Sequence, residues 1–202
     1  MLRIGITGGI GSGKTTVAKV FEVLGIPVYY SDEAAKRLMN EDAALQKQLI
    51  EQFGKDVYVD NKLNRSLLAS IVFNNPEKLT LLNSIVHPLT IAEAEKWMKL
   101  CSKSDRQKLP YAIKEAALIF ESGAQKKLDY VIGVHAPYKL RLKRSMQRDN
   151  HSKEEVEARM QKQMDETKKM NLCNFIITND EEQLLIPQVV EMHKKLVKLN
   201  AG

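Results

Sequence analysis

Cysteine is nearly absent: the 202 residues hold two, Cys101 and Cys173, with neither close spacing nor neighbouring histidines. That excludes a disulfide scaffold and argues against a cysteine metal site, so ordinary reduced thiols are expected. No apolar run approaches the roughly 20 residues of a membrane span. The opening Met1-Leu2-Arg3-Ile4-Gly5-Ile6 turns into glycines too early for the apolar stretch of a signal peptide. A soluble, cytoplasmic protein is expected, without a membrane partner. Internal repeats, low-complexity tracts and nucleic-acid-binding motifs are also missing. What is present is a globular balance of 44% hydrophobic and 28% charged residues. That is enough apolar material to offset ordering entropy around one core, with room for inserted subdomains. The 31 Lys and Arg exceed the 25 Asp and Glu, for a net charge of +6. Such an excess admits nucleic acid or a phosphorylated small molecule as partner. The basic residues lie mostly in mixed-sign helical stretches, which favours the small molecule over nucleic acid.

Short apolar runs alternate with helical patterns, the signature of a parallel sheet whose strands are joined by crossover helices. Residues 2–7 read as a first strand. From Lys14, the positions Val17, Ala18, Phe21 and Leu24 recur at helical spacing until Gly25, and Pro27-Val28-Tyr29-Tyr30 reads as a second strand. Residues 32–105 change texture to a mostly helical pattern with weak turns at Gly54, Asp60-Asn61 and Asn74-Asn75-Pro76, which predicts a helical insertion. Strands resume at 109–113 and 129–134, separated by an apolar segment that ends at Glu121-Ser122-Gly123. Residues 139–169 are strongly charged and read as two exposed helices. A last strand is expected at 174–178. An amphipathic helix closes the chain at 181–199, with Leu184, Leu185, Val189, Val190, His193 and Val197 near one face. Trp97 and the methionines at 160, 164 and 170 read as packing.

Gly8-Gly9-Ile10-Gly11-Ser12-Gly13-Lys14-Thr15 has the spacing of a glycine-rich phosphate loop, and it follows a predicted strand and opens a predicted helix, as such a loop must. Gly9, Ile10, Gly11, Ser12 and Gly13 would curl the backbone so that N–H groups face phosphate oxygens, and the helix N-terminus adds partial positive charge. Lys14 would bridge the outer phosphates and Thr15 would place its hydroxyl on Mg2+, with Thr16 as a structural neighbour. The loop implies binding of a nucleoside triphosphate but leaves the fate of the γ-phosphate open, since an ATPase, a GTPase switch and a small-molecule kinase all share it.

Asp32 stands just beyond the second strand, where open α/β sheets collect ligands. Two roles fit it: a carboxylate that takes the proton of an attacking hydroxyl or holds Mg2+ through water, or a helix N-cap within Ser31-Asp32-Glu33. Arg141, Arg144 and Arg148 share one helical face. That face is either a lid that neutralises phosphate charge or a solvated face paired with nearby acids. Arg37, Arg65 and His87 lie in or near the insertion and are candidates for the second substrate. Glu121 is either an active-site acid or a cap.

Taken together these segments resemble the dephospho-coenzyme A kinase family over nearly the whole length. The likeness is carried by Gly5 to Thr15, Asp32 with Arg37, Phe53-Gly54, Leu63-Asn64-Arg65 with Leu68 and Val72-Phe73, and His87-Pro88. It continues through Leu118-Ile119-Phe120-Glu121, Arg144 to Asp149, Arg159 with Gln163, and Ile177-Thr178-Asn179. The resemblance implies an α/β phosphate-loop kinase with a parallel-sheet core from residues 1–31, 109–138 and 170–202. A helical coenzyme A insertion at 32–108 and a helical lid at 139–169 complete it. The implied reaction is transfer of the γ-phosphoryl of MgATP to the 3′-hydroxyl of the ribose of dephospho-CoA, with Asp32 as general base and Lys14, Arg144 and Arg148 on the transferred charge. Arg37, Arg65, His87 and Glu121 would serve the acceptor. Three positions depart from the family pattern: Tyr30-Ser31-Asp32 replaces Asp-Ala-Asp, Ala117 replaces a proline, and Cys173-Asn174 replaces Ala-Asp.

Overall fold

In chain order, the computed structural model has β1 (Leu2–Thr7), α1 (Lys14–Val23), β2 (Val28–Tyr30), α2 (Ser31–Glu41) and α3 (Ala43–Phe53). A hairpin of β3 (Tyr58–Val59) and β4 (Lys62–Leu63) leads to α4 (Arg65–Phe73) and the 27-residue α5 (Pro76–Ser102). The chain continues with β5 (Tyr111–Glu115), β6 (Tyr130–His135), α6 (Tyr138–Asp149), α7 (Lys153–Gln161), α8 (Glu166–Asn171), β7 (Phe175–Thr178) and α9 (Leu185–Ala201). The structure describes residues 1–73, 75–103 and 109–201. Asn74 of the third expected turn and the insertion boundary at residue 108 lie outside the described residues.

Five strands form a sheet in the order β2-β5-β1-β6-β7, every neighbouring pair parallel. The central strands are near-continuous apolar runs because helices cover both faces of such a sheet. Ile4, Ile6, Tyr111, Ile113, Ile132 and Val134 are buried in one core with Val17, Ala18 and Phe21 of α1 and Val189 and Leu196 of α9. From β1 the chain runs to the edge strand β2, returns to β5 beside β1, and then crosses β1 to β6 and β7 on its other side, so the loop after β1 sits at the switch point of the sheet, beyond its carboxyl ends. Helix α1 stops at Gly25, which takes φ +81°. Its N–H donates to the Glu22 carbonyl at 2.9 Å, and the Ile26 N–H reaches Phe21 at 3.1 Å, the paired bonds of a Schellman cap.

The described residues form two compact units, Met1–Tyr30 with Trp97–Gly202, and Ser31–Lys96. The second has its own core. Leu45, Leu49 and Phe53 stack along α3 against Val57, Leu63, Leu68, Val72 and Val86. Its hairpin turns on Asp60 (φ 51°) and Asn61 (φ 60°), the two positive dihedrals of a type I′ turn, so the weak turn signal marks a hairpin within a mostly helical segment.

Three expectations are corrected. The strand expected at 109–113 ends two residues later, at Glu115. The charged stretch is three helices rather than two, and it is not wholly solvated: Lys169 and Met170 of α8 are buried. The buried face of α9 uses Val189 and Leu196, while Val197 is exposed and Leu184, also exposed, precedes the helix.

Candidate functional site

The segment between β1 and α1 crests in a β-turn: Ser12 N–H donates to the Gly9 carbonyl at 3.1 Å, with Gly11 at φ +77°, the value a type II turn needs at its third position. Elements from the other end of the chain close on this crest. A methyl group at Gly11 would fall on the Arg141 carbonyl oxygen and lie 2.7 Å from Ser145 Oγ, so α6 packs backbone to backbone on the turn. Asn179, just past β7, donates from Nδ2 to the Ser12 carbonyl at 2.8 Å. The Ile10 N–H donates to Gln163 Oε1 at 2.9 Å.

Lys14 and Thr15, the first residues of α1, share one acid. Lys14 Nζ lies 3.8 Å from Glu115 Oε1, and Thr15 Oγ1 donates to that oxygen at 3.1 Å. Glu115 is 3% exposed at the carboxyl end of β5, in register with Ile6 of β1 and Tyr30 of β2. A hydroxyl beside a buried carboxylate is a hard-oxygen donor pair of the kind Mg2+ takes, with phosphate and water oxygens filling an octahedron. The residues present therefore fit that ion. Thr16, on the next turn position, is exposed.

A second group surrounds the turn. Arg141, buried, approaches Glu166 Oε2 at 3.5 Å, and His135 Nδ1 lies 3.9 Å from Glu166 Oε1. Arg141 Nε, Ser145 Oγ, Ser12 Oγ, Glu166 Oε1 and His135 Nδ1 are buried without a hydrogen-bond partner among the described residues. Buried polar atoms are normally paired, so this concentration of unpaired donors and acceptors marks a place built for a polar ligand or ordered water.

The arginine face divides along its length. Arg144 is held at the site, donating to the Asn179 carbonyl at 3.0 Å and pairing with Glu181 at 3.0 Å. Arg148 is 65% exposed and forks onto its neighbour Asp149 at 2.8 and 2.9 Å, holding that carboxyl below its usual range. Glu121 is engaged as well: its Oε1 accepts from the Met164 N–H at 3.0 Å and pairs at 2.9 Å with Lys169 Nζ, which also donates to the Ala117 carbonyl at 3.0 Å. Glu121 is thus tied to α8 through Lys169.

In the second unit, Asp32 lies in the first turn of α2, exposed, and its carboxylate caps no backbone N–H among the described residues. Arg37 pairs with Glu93 and, at 3.3 Å, with Glu41; the Glu93 contact raises its already high pKa. Arg65 opens α4, exposed and without an ion-pair partner among the described residues. His87 is half-buried within α5, directly before Pro88.

Among the described residues no cluster of three His, Cys, Asp or Glu could hold a metal ion, and no helix is long and apolar enough to cross a membrane. Both cysteines are free thiols; burial pushes the Cys173 pKa up to about 11.

Sequence reasoning missed Glu115, Lys169 and the placement of Gln163. The signal for Glu115 was an acid two residues beyond the apolar run of a central strand. Lys169 gave no signal, since its partner lies 48 positions away.

Comparison with known proteins follows the same lines. The family model described as dephospho-CoA kinase matches residues 2–184. A dephospho-CoA kinase of Bacteroides fragilis (strain YCH46) is 38% identical over 191 residues, covering 95% of this chain and 91% of the relative. A solved structure from Thermus thermophilus superposes with a TM-score of 0.80 at 31% identity, covering 96% of each chain. The solved dephospho-CoA kinase of Campylobacter jejuni gives 0.70 at 30% identity, covering 98% of each.

Proposed function

The chain belongs to the dephospho-CoA kinase family, and from that membership we propose that it transfers the γ-phosphoryl of ATP to the 3′-hydroxyl of the ribose of dephospho-CoA, yielding CoA and ADP in the last step of coenzyme A biosynthesis. Beside the family match, the observation that carries the reading is the convergence of Lys14 and Thr15 on buried Glu115 at the foot of a phosphate loop.

In this reading the protein positions reactants and neutralises charge, which is most of what phosphoryl transfer requires. The loop amides and the α1 N-terminus hold the β- and γ-phosphates. Lys14 lies against the outer phosphates, and Arg144 meets the charge that spreads over the transferred group. Arg141, buried beside the loop with an unspent Nε, joins it. Arg148 is assigned no part in the transfer, because its fork is occupied by Asp149. Thr15 and Glu115 would hold Mg2+, which when bound supplies charge neutralisation on the phosphates. Asp32, whose carboxylate caps no helix N–H, accepts the hydrogen bond of the ribose hydroxyl and receives its proton late in the transfer. Arg37, Arg65 and His87 serve the acceptor, with Arg65 the cation free to take an acceptor phosphate.

The test incubates purified protein with MgATP and dephospho-CoA, with adenosine, AMP and no acceptor in parallel, and follows ADP and CoA together. Stoichiometric ADP and CoA that depend on dephospho-CoA are the expected result. ADP without CoA would refute the acceptor assignment, and no ADP in any mixture would refute the kinase reading.

A further inference from the structure

We propose that Gln163 is a positioning residue for phosphoryl transfer, holding the Ile10 N–H at the crest of the phosphate loop. The proposal rests on the kinase reading of that loop. Within the crest the Gly9 carbonyl is taken by Ser12 N–H, and no loop carbonyl accepts the Ile10 N–H. Its acceptor comes from 153 residues away, in Gln163 Oε1 at 2.9 Å.

A glutamine on a half-exposed connection between two helices would ordinarily lose more rotamer entropy in making one hydrogen bond than that bond returns. Here the backbone beside it is already fixed. Gln163 N–H donates to the Met160 carbonyl at 3.1 Å, and the next residue, Met164, donates to Glu121 at 3.0 Å. Glu121 in turn is set by Lys169, which is 0% exposed and bonded at once to Glu121 and to the Ala117 carbonyl. A buried ammonium held by two oxygens is a rigid post, since losing either partner leaves a charge without compensation. The post therefore fixes the backbone from which the Gln163 side chain reaches the loop.

Gln163 and Met164 also line, with Arg141 and Glu166, a cavity of about 540 Å³. The Gln163 side of the contact therefore borders open space rather than a packed core, and the bond itself is part-buried. Fixing the Gly9–Ile10 peptide there fixes the direction of the neighbouring amides that face the outer phosphate. Donors set in advance spare reorganisation during transfer, so the bond acts on turnover more than on binding.

The experiment compares wild type with Gln163→Leu, which removes the acceptor at nearly constant volume, and Gln163→Glu, which keeps an oxygen there. Hydrogen exchange of the Ile10 amide is read by NMR without nucleotide, and kcat, KM and the thermal midpoint are measured for wild type and Gln163→Leu. Expected are faster Ile10 exchange in Gln163→Leu, wild-type protection in Gln163→Glu, and a kcat for Gln163→Leu lower by roughly ten-fold or more. Both KM values should stay within about two-fold, and the midpoint should fall by no more than one lost part-buried hydrogen bond allows, about 5 °C. Unchanged Ile10 exchange, unchanged kcat, or a large fall in the midpoint each overturns the positioning role. A wild-type protein that makes no CoA overturns the kinase reading instead, and the exchange arm still decides whether the contact exists.

Discussion

Replacing Gly11 by alanine tests the packing on which the site rests, and the fold supplies a matched control in Gly25. Both glycines hold a left-handed backbone, φ +77° and φ +81°. A methyl group at Gly25 meets nothing within 4 Å, whereas at Gly11 it meets the Arg141 carbonyl and lies 2.7 Å from Ser145 Oγ. Gly25→Ala therefore bears only the conformational cost of an L-residue in that region, about 1–2 kcal/mol. Gly11→Ala bears that cost and an overpacking cost against backbone that has no rotamer to yield, about 2–5 kcal/mol together. For a chain of this size each kcal/mol moves the thermal midpoint by ~2–4 °C. Gly25→Ala should thus lose a few degrees and keep its ATP affinity. Gly11→Ala should lose about twice as much or more, or else relieve the clash by moving α6 off the loop. In that case the midpoint recovers and ATP affinity falls, because Arg141 and Arg144 move with the helix. Calorimetry and equilibrium ATP binding on both variants separate these outcomes. Equal midpoints for the two variants, together with wild-type ATP affinity in Gly11→Ala, would refute the packing of α6 on the loop crest.

Four further outcomes are expected. Glu115→Gln keeps the shape and removes the charge beside Thr15, so the Mg2+ concentration giving half-maximal rate should rise about ten-fold; an unchanged Mg2+ titration counts against the metal assignment. Asp32→Ala should lose about 10²–10⁴ in kcat with ATP affinity intact, and wild-type turnover would remove the base role. Arg144→Ala should slow transfer by ~10², while exposed Arg148→Ala should change stability by no more than about 0.5 kcal/mol and leave the kinetics alone; equal slowing of both would restore the whole arginine face as catalytic. Burial holds the His193 pKa below its ordinary value, and its Nδ1 lies 2.6 Å from the Tyr111 hydroxyl. Because the folded-state pKa is the lower one, the stabilisation is present above about pH 6.5 and is lost as pH falls through the folded-state value. The thermal midpoint should drop on that acid limb and His193→Gln should flatten the drop; parallel pH profiles for the two proteins would rule it out.

The strands and the phosphate loop were legible because their signals are local. A buried parallel strand is a near-continuous apolar run, and β1 occupies the very residues, Leu2–Thr7, that the pattern marks. The loop is equally local as a pattern, since its glycine spacing falls within one short segment. Charged residues were read less well, because sequence pattern treats every lysine, arginine and glutamate as bound for solvent. The run Tyr111–Ile113 was therefore ended before Lys114 and Glu115, although both are buried in β5. In the same way 139–169 read as solvated helices, although Arg141 and Lys169 are buried. What buries these groups is a partner far along the chain: Glu121 for Lys169, and Lys14 and Thr15 for Glu115. No periodicity within a window of twenty residues carries that information.

The placement of these charges is itself an argument about function. Glu115, Arg141 and Lys169 are each under a tenth exposed, and all three touch the phosphate loop or the segments that hold it. Buried ion pairs seldom stabilise a fold more than apolar residues of equal volume would, so stability alone gives little reason for charged groups in these positions. A polyphosphate gives one. It brings negative charge that the loop amides, Lys14 and the arginines of α6 meet with fixed, preorganised donors, and those buried among them act more strongly than they would in solution. Glu115 then balances Lys14 while no nucleotide is bound, and Lys169 fixes the segment that reaches the crest through Gln163. The same residues that make this end of the sheet a poor place for a core therefore suit it to hold and transfer a phosphoryl group.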